Sequence, residues 1–166
     1  MPEFDIRPVT PPEVPAIAAL ARESWQAAYI GIITQAQIDF MLAQRYDHQR
    51  LRADLEVPDK WLDQAFDGER RVGFAACEIC KGEYKLDKLY IHPDFQRQGI
   101  GSALVAHVTA RARKLGYPCA ILAVNKQNAQ AIAAYRKYGF TVREAVTNDI
   151  GNGFIMDDYI MERLFS

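Results

Sequence analysis

A short glycine-containing segment, Gln96 to Gly101, has the residue types of an anion-binding loop. It follows the apolar run Leu86 to Ile91 and precedes a helical pattern that begins near Ser102. Glycines at positions 99 and 101 leave backbone N–H groups free to converge on an anion at the start of the helix, where the aligned peptide dipoles also favour negative charge. The spacing therefore predicts a site for a pyrophosphate group.

Two other interpretations of this loop remain open. A dinucleotide-binding fold also places a glycine-rich turn between a strand and a helix, but its fingerprint requires a third small residue where this chain has Leu104. That fold also needs an acidic residue further along to bind a ribose, and no convincing candidate follows. An ordinary flexible turn is the second alternative, since short motifs often match by chance.

A second block, Asn128 to Phe140, has a helical pattern and ends in Tyr-x-x-x-Gly-Phe, which begins at Tyr135. With this block and the loop pattern Gln-x-x-Gly-x-Gly, the chain resembles the GNAT superfamily of N-acetyltransferases. Its first helix and last hairpin resemble bacterial members that act on small amines and polyamines. The resemblance implies that an acetyl group moves from acetyl-CoA directly to a primary amine, with no metal and no covalent enzyme intermediate.

The resemblance gives Tyr135 a catalytic role. Tyrosines at this position in the family lie beside the cofactor sulfur and act as the general acid for the departing thiolate. In the alternative interpretation, the ring of Tyr135 packs in the core and its hydroxyl reaches the surface. Tyr138 competes for the role, but it precedes Gly139, where the family normally carries a packing residue.

Asp87 is the candidate for the base that removes a proton from the amine. Several relatives, including polyamine acetyltransferases, carry a glutamate at the matching position, two residues before Leu89. Because side chains alternate along a strand, we expect the Asp87 carboxylate to face the cleft on the same side as Leu89 and Ile91. The alternative is a carboxylate on the sheet surface, paired with Lys85 or Lys88.

The resemblance also implies which residues contact acetyl-CoA. Backbone groups before the loop would bind the pantetheine arm, the loop would bind the pyrophosphate, and two later side chains would add contacts. In that order the residues are Leu89, Tyr90 and Ile91; Gln96, Arg97, Gln98, Gly99, Ile100, Gly101 and Ser102; and Asn128 and Lys137. Asn128 could cap the next helix at the same time, and Lys137 could be an ordinary solvated lysine.

The expected acceptor is a small diamine or polyamine. Trp25 and Tyr29 lie four residues apart on one face of the first helix. Asp157 and Asp158 would attract a cationic acceptor, or would simply form a solvated strand end. One alternative acceptor is a peptide N-terminal amine, as in the members that acetylate ribosomal proteins. Another alternative is a regulatory module that binds CoA without turnover.

The elements that position these residues are predicted to form a single α/β domain over residues 1–166, in the order β-α-α-β-β-β-α-β-α-β-β. The step across the loop requires a nearly parallel pair of strands, whereas hairpins join the others, so we expect a mixed, mostly antiparallel sheet flanked by helices. The resemblance implies that the two central strands splay apart beyond the loop. The predicted later elements are Trp61 to Phe66, Arg71 to Ile79, Tyr84 to Ile91, Cys119 to Val124, Asn128 to Tyr138, Phe140 to Val146 and Phe154 to Leu164.

Turn and capping signals define the first elements less sharply. Thr10 to Glu13 provides a capping box with prolines before the first helix. Thr34 and Gln37 repeat the capping pattern before a second helix, which we expect to break again before Arg50. A loop is predicted at Asn148 to Gly153, between the last two strands.

Composition limits the classes of partner. The formal net charge is −1 and no basic block alternates with aromatic residues, so we expect no nucleic acid partner. No apolar run approaches the roughly 18 residues of a membrane span, so we expect no membrane association and a cytoplasmic protein. The three cysteines and three histidines lack the spacing of a disulfide framework or a zinc site. A homodimer is expected only by analogy with relatives.

Overall fold

One seven-stranded sheet carries helices on both faces in the computed structural model, which describes residues 4–96 and 98–165. The strands are β1 (Asp5–Pro8), β2 (Lys60–Asp67), β3 (Arg70–Cys80), β4 (Glu83–Ile91), β5 (Cys119–Asn125), β6 (Thr141–Gly151) and β7 (Phe154–Leu164). The helices are α1 (Val14–Tyr29), α2 (Gln35–Arg45), α3 (His48–Asp54), α4 (Ile100–Lys114) and α5 (Ala129–Lys137). The strand order is β1-β2-β3-β4-β5-β7-β6, and only β4 and β5 are parallel neighbours. The predicted α/β class and mixed, mostly antiparallel sheet are confirmed.

Tight turns connect most of the antiparallel strands. The β3–β4 turn has φ angles of 52° at Lys81 and 78° at Gly82, and the β6–β7 turn has 54° at Asn152 and 77° at Gly153. Positive φ at both central residues is the geometry of a type I′ turn, whose twist matches that of the strands it joins. The parallel step from β4 to β5 instead uses α4 as its crossover.

The helices are divided between two sheet faces. α1, α2 and α3 cover one face, which we call the α1 face, and bury side chains such as Trp25 and Ile38 against it. α4 covers the opposite face, which we call the α4 face, through residues such as Leu104. α5 packs on the α4 face through partly buried side chains that include Tyr135.

β4 and β5 are paired only over a short stretch, where residues 84–86 lie beside residues 120–122. Within the described chain, residues 88–91 of β4 have a strand partner only in β3, and residues 123–125 of β5 have one only in β7. The two strands therefore separate toward the end where the glycine loop begins. This opening leaves backbone N–H and C=O groups of β4 available to another molecule.

A β-bulge interrupts β4 just before the opening. Leu86 pairs with Cys77 and Lys88 pairs with the next β3 residue, Ala76, so Asp87 is the extra residue. A bulge breaks the alternation of side chains between the two faces of a strand. Consecutive residues of β4 can therefore point to the same face.

The bulge places Asp87 and Lys88 together on the α1 face. Asp87 contacts Arg45 of α2 there, and Lys88 contacts Asp87. Leu89 and Ile91 pack instead against the core of the α4 face. The expectation that Asp87 shares the face of Leu89 and Ile91 is wrong, because the strand alternation on which it depends stops at the bulge.

Two elements differ from those predicted. Helix α2 ends at Arg45, and the additional short helix α3 follows it. The N-cap residue of α3, Asp47, accepts a hydrogen bond from the Arg50 N–H at 3.0 Å. The predicted order omits this helix. β6 continues to Gly151, so the loop predicted at Asn148 to Gly153 shrinks to a two-residue turn.

The capping box before α1 also joins that helix to the sheet. The Glu13 carboxylate accepts hydrogen bonds from the Thr10 N–H at 3.0 Å and the Thr10 hydroxyl at 2.7 Å. It also accepts a bond from the buried Gln64 amide of β2 at 2.8 Å and an ion pair from Arg71 of β3 at 3.1 Å. The hydrogen bonds from Thr10 and Gln64, with the charge of Arg71, lower the pKa of Glu13 from 4.5 to about 2.

This depressed pKa makes the seating of α1 sensitive to acid. Because Glu13 stabilises the fold only when ionised, its contribution is complete above its unfolded pKa and is lost as the pH falls toward 2. We expect Glu13→Gln to lower the free energy of unfolding at neutral pH by about 1–2 kcal/mol and to reduce the loss of stability in that acid range. Urea denaturation across pH measures both effects, with the exposed turn residue Glu69 changed to Gln as the control. An unchanged pH dependence in Glu13→Gln would contradict the assignment.

Candidate active site

The start of α4 presents the free N–H groups that the loop sequence predicts. Gly99, the N-cap, has φ 87°, a conformation that L side chains rarely adopt. The Ala103 N–H donates to the Gly99 carbonyl at 3.0 Å, so the N–H groups of residues 100–102 have no acceptor within the helix. These groups are available to an anion. Of the other predicted loop residues, Gln96 and Gln98 are exposed, and Arg97 lies outside the described residues.

His92 holds the entrance to this loop. Its Nδ1 accepts a hydrogen bond from the Asp94 N–H at 3.1 Å, and its Nε2 lies 2.7 Å from the Glu23 carboxylate of α1. The Ser24 hydroxyl donates to the Ile91 carbonyl at 3.4 Å. The end of β4 and the loop that follows it are therefore tied to α1.

Tyr138 reaches the first turn of α4. A Cβ atom added to Gly101 would lie 2.6 Å from the Tyr138 hydroxyl, so this glycine allows a close approach between the loop and the end of α5. The next nearest atoms, on Tyr138 and Ile91, would lie at 3.5 Å and 3.9 Å. The Tyr138 hydroxyl therefore lies at the predicted phosphate-binding loop.

Tyr135 lies on α5 with its ring 6.4 Å from that of Tyr138 and 6.0 Å from that of Phe140. Burial raises the pKa of Tyr135, and the nearby Tyr29 and Tyr138 hydroxyls raise it further. The phenol therefore carries its proton at neutral pH and is able to donate it.

On β4, Tyr90 points to the α1 face, between the unpaired backbone edge and the aromatic core. Its ring lies 5.9 Å from that of Trp25 and 5.5 Å from that of Phe74. Trp25 is only 2% exposed and lies 4.6 Å from the ring of Tyr29. The structure thus places Trp25 in the core, where it supports Tyr29 and Tyr90, and not on a surface that an acceptor can reach.

Tyr29 connects the elements around the opening. Burial raises the pKa of its hydroxyl, and the Asp158 carboxylate of β7 raises it further. Hydrogen bonding to Asn128 at the start of α5, the charge of Arg45, and hydrogen bonding to Tyr90 oppose that rise in pKa. The charge state of this α1 residue is therefore coupled to groups on β4, β7 and α5.

A groove of about 510 Å³ opens at the α1–α2 turn, which follows Tyr29 in the chain. Its walls come from the α1–α2 turn, α2, the end of β5 and β7. Its lining is Gly31, Ile32, Ile33, Thr34, Gln37, Asn125, Gln127, Ile155 and Asp157. Amides and isoleucines dominate this surface, and Asp157 supplies its carboxylate. The groove has the size of a site for a small molecule or a peptide end.

Asp157 and Asp158, predicted together as acceptor residues, face opposite sides of β7. The Asp157 side chain is 58% exposed and pairs with Lys126 at 2.6 Å. Asp158 points to the α1 face with Met156 and is 8% exposed. Asn125, which lines the groove, is the β5 partner of Asp158. The two carboxylates therefore have different environments.

Asp87 is held by cations on the α1 face. Its carboxylate lies 2.6 Å from the Lys88 Nζ, 3.3 Å from the Arg45 guanidinium and 3.9 Å from the Lys85 Nζ. Burial opposes its ionisation, but Lys88, Arg45 and Lys85 outweigh that effect and hold the pKa of Asp87 at about 2. A carboxylate so firmly ionised has little tendency to accept a proton at neutral pH. The alternative weighed from the sequence, pairing with Lys85 and Lys88, is what the structure shows.

The other predicted contacts are simpler. The Asn128 side chain caps α5 by accepting a hydrogen bond from the Ala131 N–H at 3.2 Å. Lys137 is exposed at the end of α5. Sequence reasoning missed Arg45 and Gln37, which line the clefts on the α1 face. Arg45 lies in no motif and Gln37 only in a helix-capping pattern, and the packing of α2 on the sheet brings both to the site.

Similar proteins identify the family. The profile of the acetyltransferase (GNAT) family matches residues 18–140, and the chain belongs to this family. It is similar to the spermidine N(1)-acetyltransferase of Thermoplasma acidophilum, with 27% identity over 158 residues that cover 93% of this chain and 96% of that protein. It is also similar to the ribosomal protein bS18 alanine N-acetyltransferase of Escherichia coli, with 37% identity over 71 residues, or 43% of this chain and 48% of that protein.

Solved structures agree with this family. The PaiA N-acetyltransferase of Thermoplasma acidophilum in complex with coenzyme A gives a TM-score of 0.86 at 25% identity and covers 98% of this chain and 99% of that one. The ribosomal-protein-S18-alanine N-acetyltransferase of Escherichia coli shares the fold, with a TM-score of 0.73 at 21% identity and coverage of 99% and 95%. This protein is therefore an acetyl-CoA-dependent N-acetyltransferase, as predicted. In the described part of the chain, no helix combines the length and apolar character that crossing a membrane requires.

The close approach at Gly101 gives a test of the loop. We expect Gly101→Ala to weaken CoA binding and to lower the free energy of unfolding by about 1–2 kcal/mol, because the added methyl group meets the Tyr138 hydroxyl. Adding Tyr138→Phe removes that hydroxyl and should restore the stability. Thermal denaturation and calorimetric titration with CoA measure both properties. A double variant no more stable than Gly101→Ala alone would show that the hydroxyl is not the obstruction.

Asp87 gives a second test. Asp87→Asn removes the shared partner of Arg45 and Lys88, so we expect the free energy of unfolding to fall by about 2–4 kcal/mol. Because a carboxyl with a pKa of about 2 does not titrate between about pH 5 and 9, the shape of the kcat/KM profile there should not change. The exposed Asp59→Asn variant is the control. Loss of the acidic limb without loss of stability would restore Asp87 as the base.

Proposed function

We propose that this N-acetyltransferase acetylates a primary amine of a small diamine or polyamine in the groove at the α1–α2 turn. One observation carries the proposal: the buried Asp158, whose strand partner Asn125 lines the groove, has no ion-pair partner among the described residues. A cationic amine would provide the missing charge. The similarity to a spermidine N(1)-acetyltransferase over nearly the whole chain supports the same acceptor class.

In this proposal the chain holds acetyl-CoA from the α4 face. Backbone groups of Leu89, Tyr90 and Ile91 pair with the pantetheine amides, because the opening leaves that edge of β4 without a strand. The N–H groups of residues 100–102 bind the pyrophosphate, and the predicted contacts from Asn128 and Lys137 remain part of the proposal. When bound, acetyl-CoA supplies the thioester and the thiolate leaving group.

Tyr135 is the proposed general acid. It carries its proton at neutral pH, lies on the helix beside the opening, and reaches the same region as Tyr29. Its role is to protonate the leaving sulfur, which makes the thiolate a better leaving group. The Tyr138 hydroxyl lies instead against the first turn of α4, where it cannot serve the same purpose.

A second acceptor class is favoured by the groove itself. The groove carries amides and isoleucines, and its carboxylate Asp157 is already paired with Lys126. Such a surface also suits the N-terminal amine of a peptide, and the bS18 alanine N-acetyltransferase of Escherichia coli is a local relative. The two classes differ in charge, since a polyamine carries further ammonium groups and a peptide carries backbone amides.

Thiol release from acetyl-CoA decides between these acceptors. We expect kcat/KM to be highest for a diamine or polyamine among a panel of diamines, polyamines, amino acids and peptides with N-terminal alanine. A preference for the peptides would replace the proposal with the second acceptor class.

Tyr135→Phe tests the general acid. We expect kcat to fall by about 100-fold or more, because proton transfer to the leaving group is lost, while CoA affinity stays unchanged. The matched control is Tyr117→Phe, since Tyr117 packs against Tyr84, away from the opening. Turnover of Tyr135→Phe equal to that of the control would end the assignment.

A further inference from the structure

Asp158 differs from the other buried acidic side chains of the sheet. Its Oδ1 is sealed from solvent and has no hydrogen-bond partner within residues 4–96 and 98–165. Asp63, which is 2% exposed, is paired with Arg111 at 2.9 Å, and Asp87 is paired with Arg45 and Lys88. Burying a carboxylate without a cation is unfavourable, because the charge loses its hydration and gains no compensating partner. Asp158 therefore lies in an environment that a bound cation or a proton would complete.

The titratable groups whose charges act on Asp158 come from several elements. They are Tyr29 on α1, Arg45 on α2, Lys85 on β4, Lys126 after β5, and Asp157, which lies on β7 itself but points to the other side of the strand. None of the basic groups lies within ion-pair distance: Arg45 and Lys85 contact Asp87, and Lys126 contacts Asp157. These cations are thus paired with other carboxylates.

Asp158 is also placed to meet an amine at the opening. It pairs across β5 with Asn125, the last residue of β5 and part of the groove wall. Its charge also raises the pKa of Tyr29, and the rings of Tyr29 and of Tyr90 on the separated edge of β4 both pack on Trp25. An amine that enters through the groove toward the opening would therefore pass beside this carboxylate.

We propose that Asp158, and not Asp87, accepts the proton that the acceptor ammonium must lose before its nitrogen attacks the thioester. This inference rests on the proposed function, because it places the amine in the groove at the α1–α2 turn. Asp87 is excluded by its three cationic neighbours, which keep its carboxylate ionised.

The protons balance over one turnover. The ammonium N–H bond breaks and its proton forms an O–H bond on Asp158, which leaves a neutral amine with a free electron pair. As the nitrogen forms the amide bond, the carbon–sulfur bond breaks and the sulfur takes the Tyr135 proton. The second nitrogen proton restores Tyr135, and Asp158 releases its proton to water before the next turnover.

The electrostatics favour this exchange. Burial raises the pKa of Asp158 above its ordinary value, and Asp157 raises it further, against the opposing charges of Arg45, Lys85 and Lys126. Burial likewise disfavours the ammonium form of an amine. The state in which Asp158 is protonated and the amine is neutral is therefore less unfavourable in the groove than it would be in water.

Asp158→Asn tests the inference with two acceptors of the same shape. The first is the fastest alkyl amine of the acceptor panel, and the second is its fluorinated analogue, whose weakly basic amine is already neutral. We expect kcat for the alkyl amine to fall by about 100-fold or more, and the fluorinated analogue to lose far less, since it needs no deprotonation. The exposed Glu144→Gln variant on β6 is the control and should keep the wild-type preference between the two amines.

Several results would overturn the inference. They are an unchanged kcat in Asp158→Asn, a raised KM with unchanged kcat, or an equal loss for both acceptors. The raised KM alone would make Asp158 only an anchor for the ammonium group. If the wild-type enzyme shows no preference for polyamines, the proposed function is refuted, but the inference about Asp158 is still tested. The test with the two amines uses whichever alkyl amine reacts fastest, so it does not depend on a polyamine preference.

Thermal denaturation and CoA titration show whether Asp158→Asn is folded. If it is not, two further measurements still test the inference. Asp158→Glu keeps a carboxylate and should retain part of the activity with the alkyl amine. In the wild-type enzyme, the acidic limb of kcat should be present with the alkyl amine and absent with the fluorinated one. The same limb with both amines would overturn the inference.

Discussion

The short pairing between β4 and β5 is the constraint on which the rest of the structure depends. Residues 84–86 and 120–122 hold the two strands together, and beyond them each strand keeps only its outer neighbour. If the pairing continued, the sheet would close and its backbone groups would be satisfied internally. Because it stops, the sheet has an opening with a free edge, and α1, α4, α5 and β7 place side chains around it.

Three aspartates of this sheet show how neighbours decide the chemistry of one residue type. Asp63 is buried but shares its charge with Arg111, so its role is structural. Asp87 is surrounded by three cations and stays ionised, which fixes α2 and the bulge together. Asp158 has neither arrangement, and its nearest cations are already paired. The available proton acceptor is the carboxylate that the fold leaves without a partner.

Local sequence was enough to predict the parts of the site that depend on local geometry. The glycine loop, the crossover helix and the Tyr-x-x-x-Gly-Phe block each depend on residues close in the chain, and the predicted strands from β2 to β5 agree with the structure to within a few residues. The face of Asp87 could not be predicted, since a bulge depends on the register with β3. Arg45 was missed for the same reason, because only the packing of α2 brings it to Asp87.

The opposite orientations of Asp157 and Asp158 follow from strand alternation, so the sequence already contained that information. What it lacked was the identity of the buried face, which is set by α1 and α2 packing against Met156. Burial then separates two adjacent carboxylates into one that pairs with Lys126 at the surface and one that stays unpaired. The environment, more than the residue type, is what tertiary structure adds to this site.

α1 links the two substrates in a way that neither motif predicts. Its Glu23 and Ser24 hold the entrance of the phosphate loop through His92 and the Ile91 carbonyl, and its Tyr29 is electrostatically coupled to Asp158. Six residues of helix separate Glu23 from Tyr29, which corresponds to about 9 Å along its axis. With the substrates bound as proposed, a rigid element of that length would fix the distance between thioester and amine, because helix length cannot change without breaking backbone hydrogen bonds. The burial of Trp25 between these contacts is consistent with that role, since its ring locks the rotation of α1 against Tyr90.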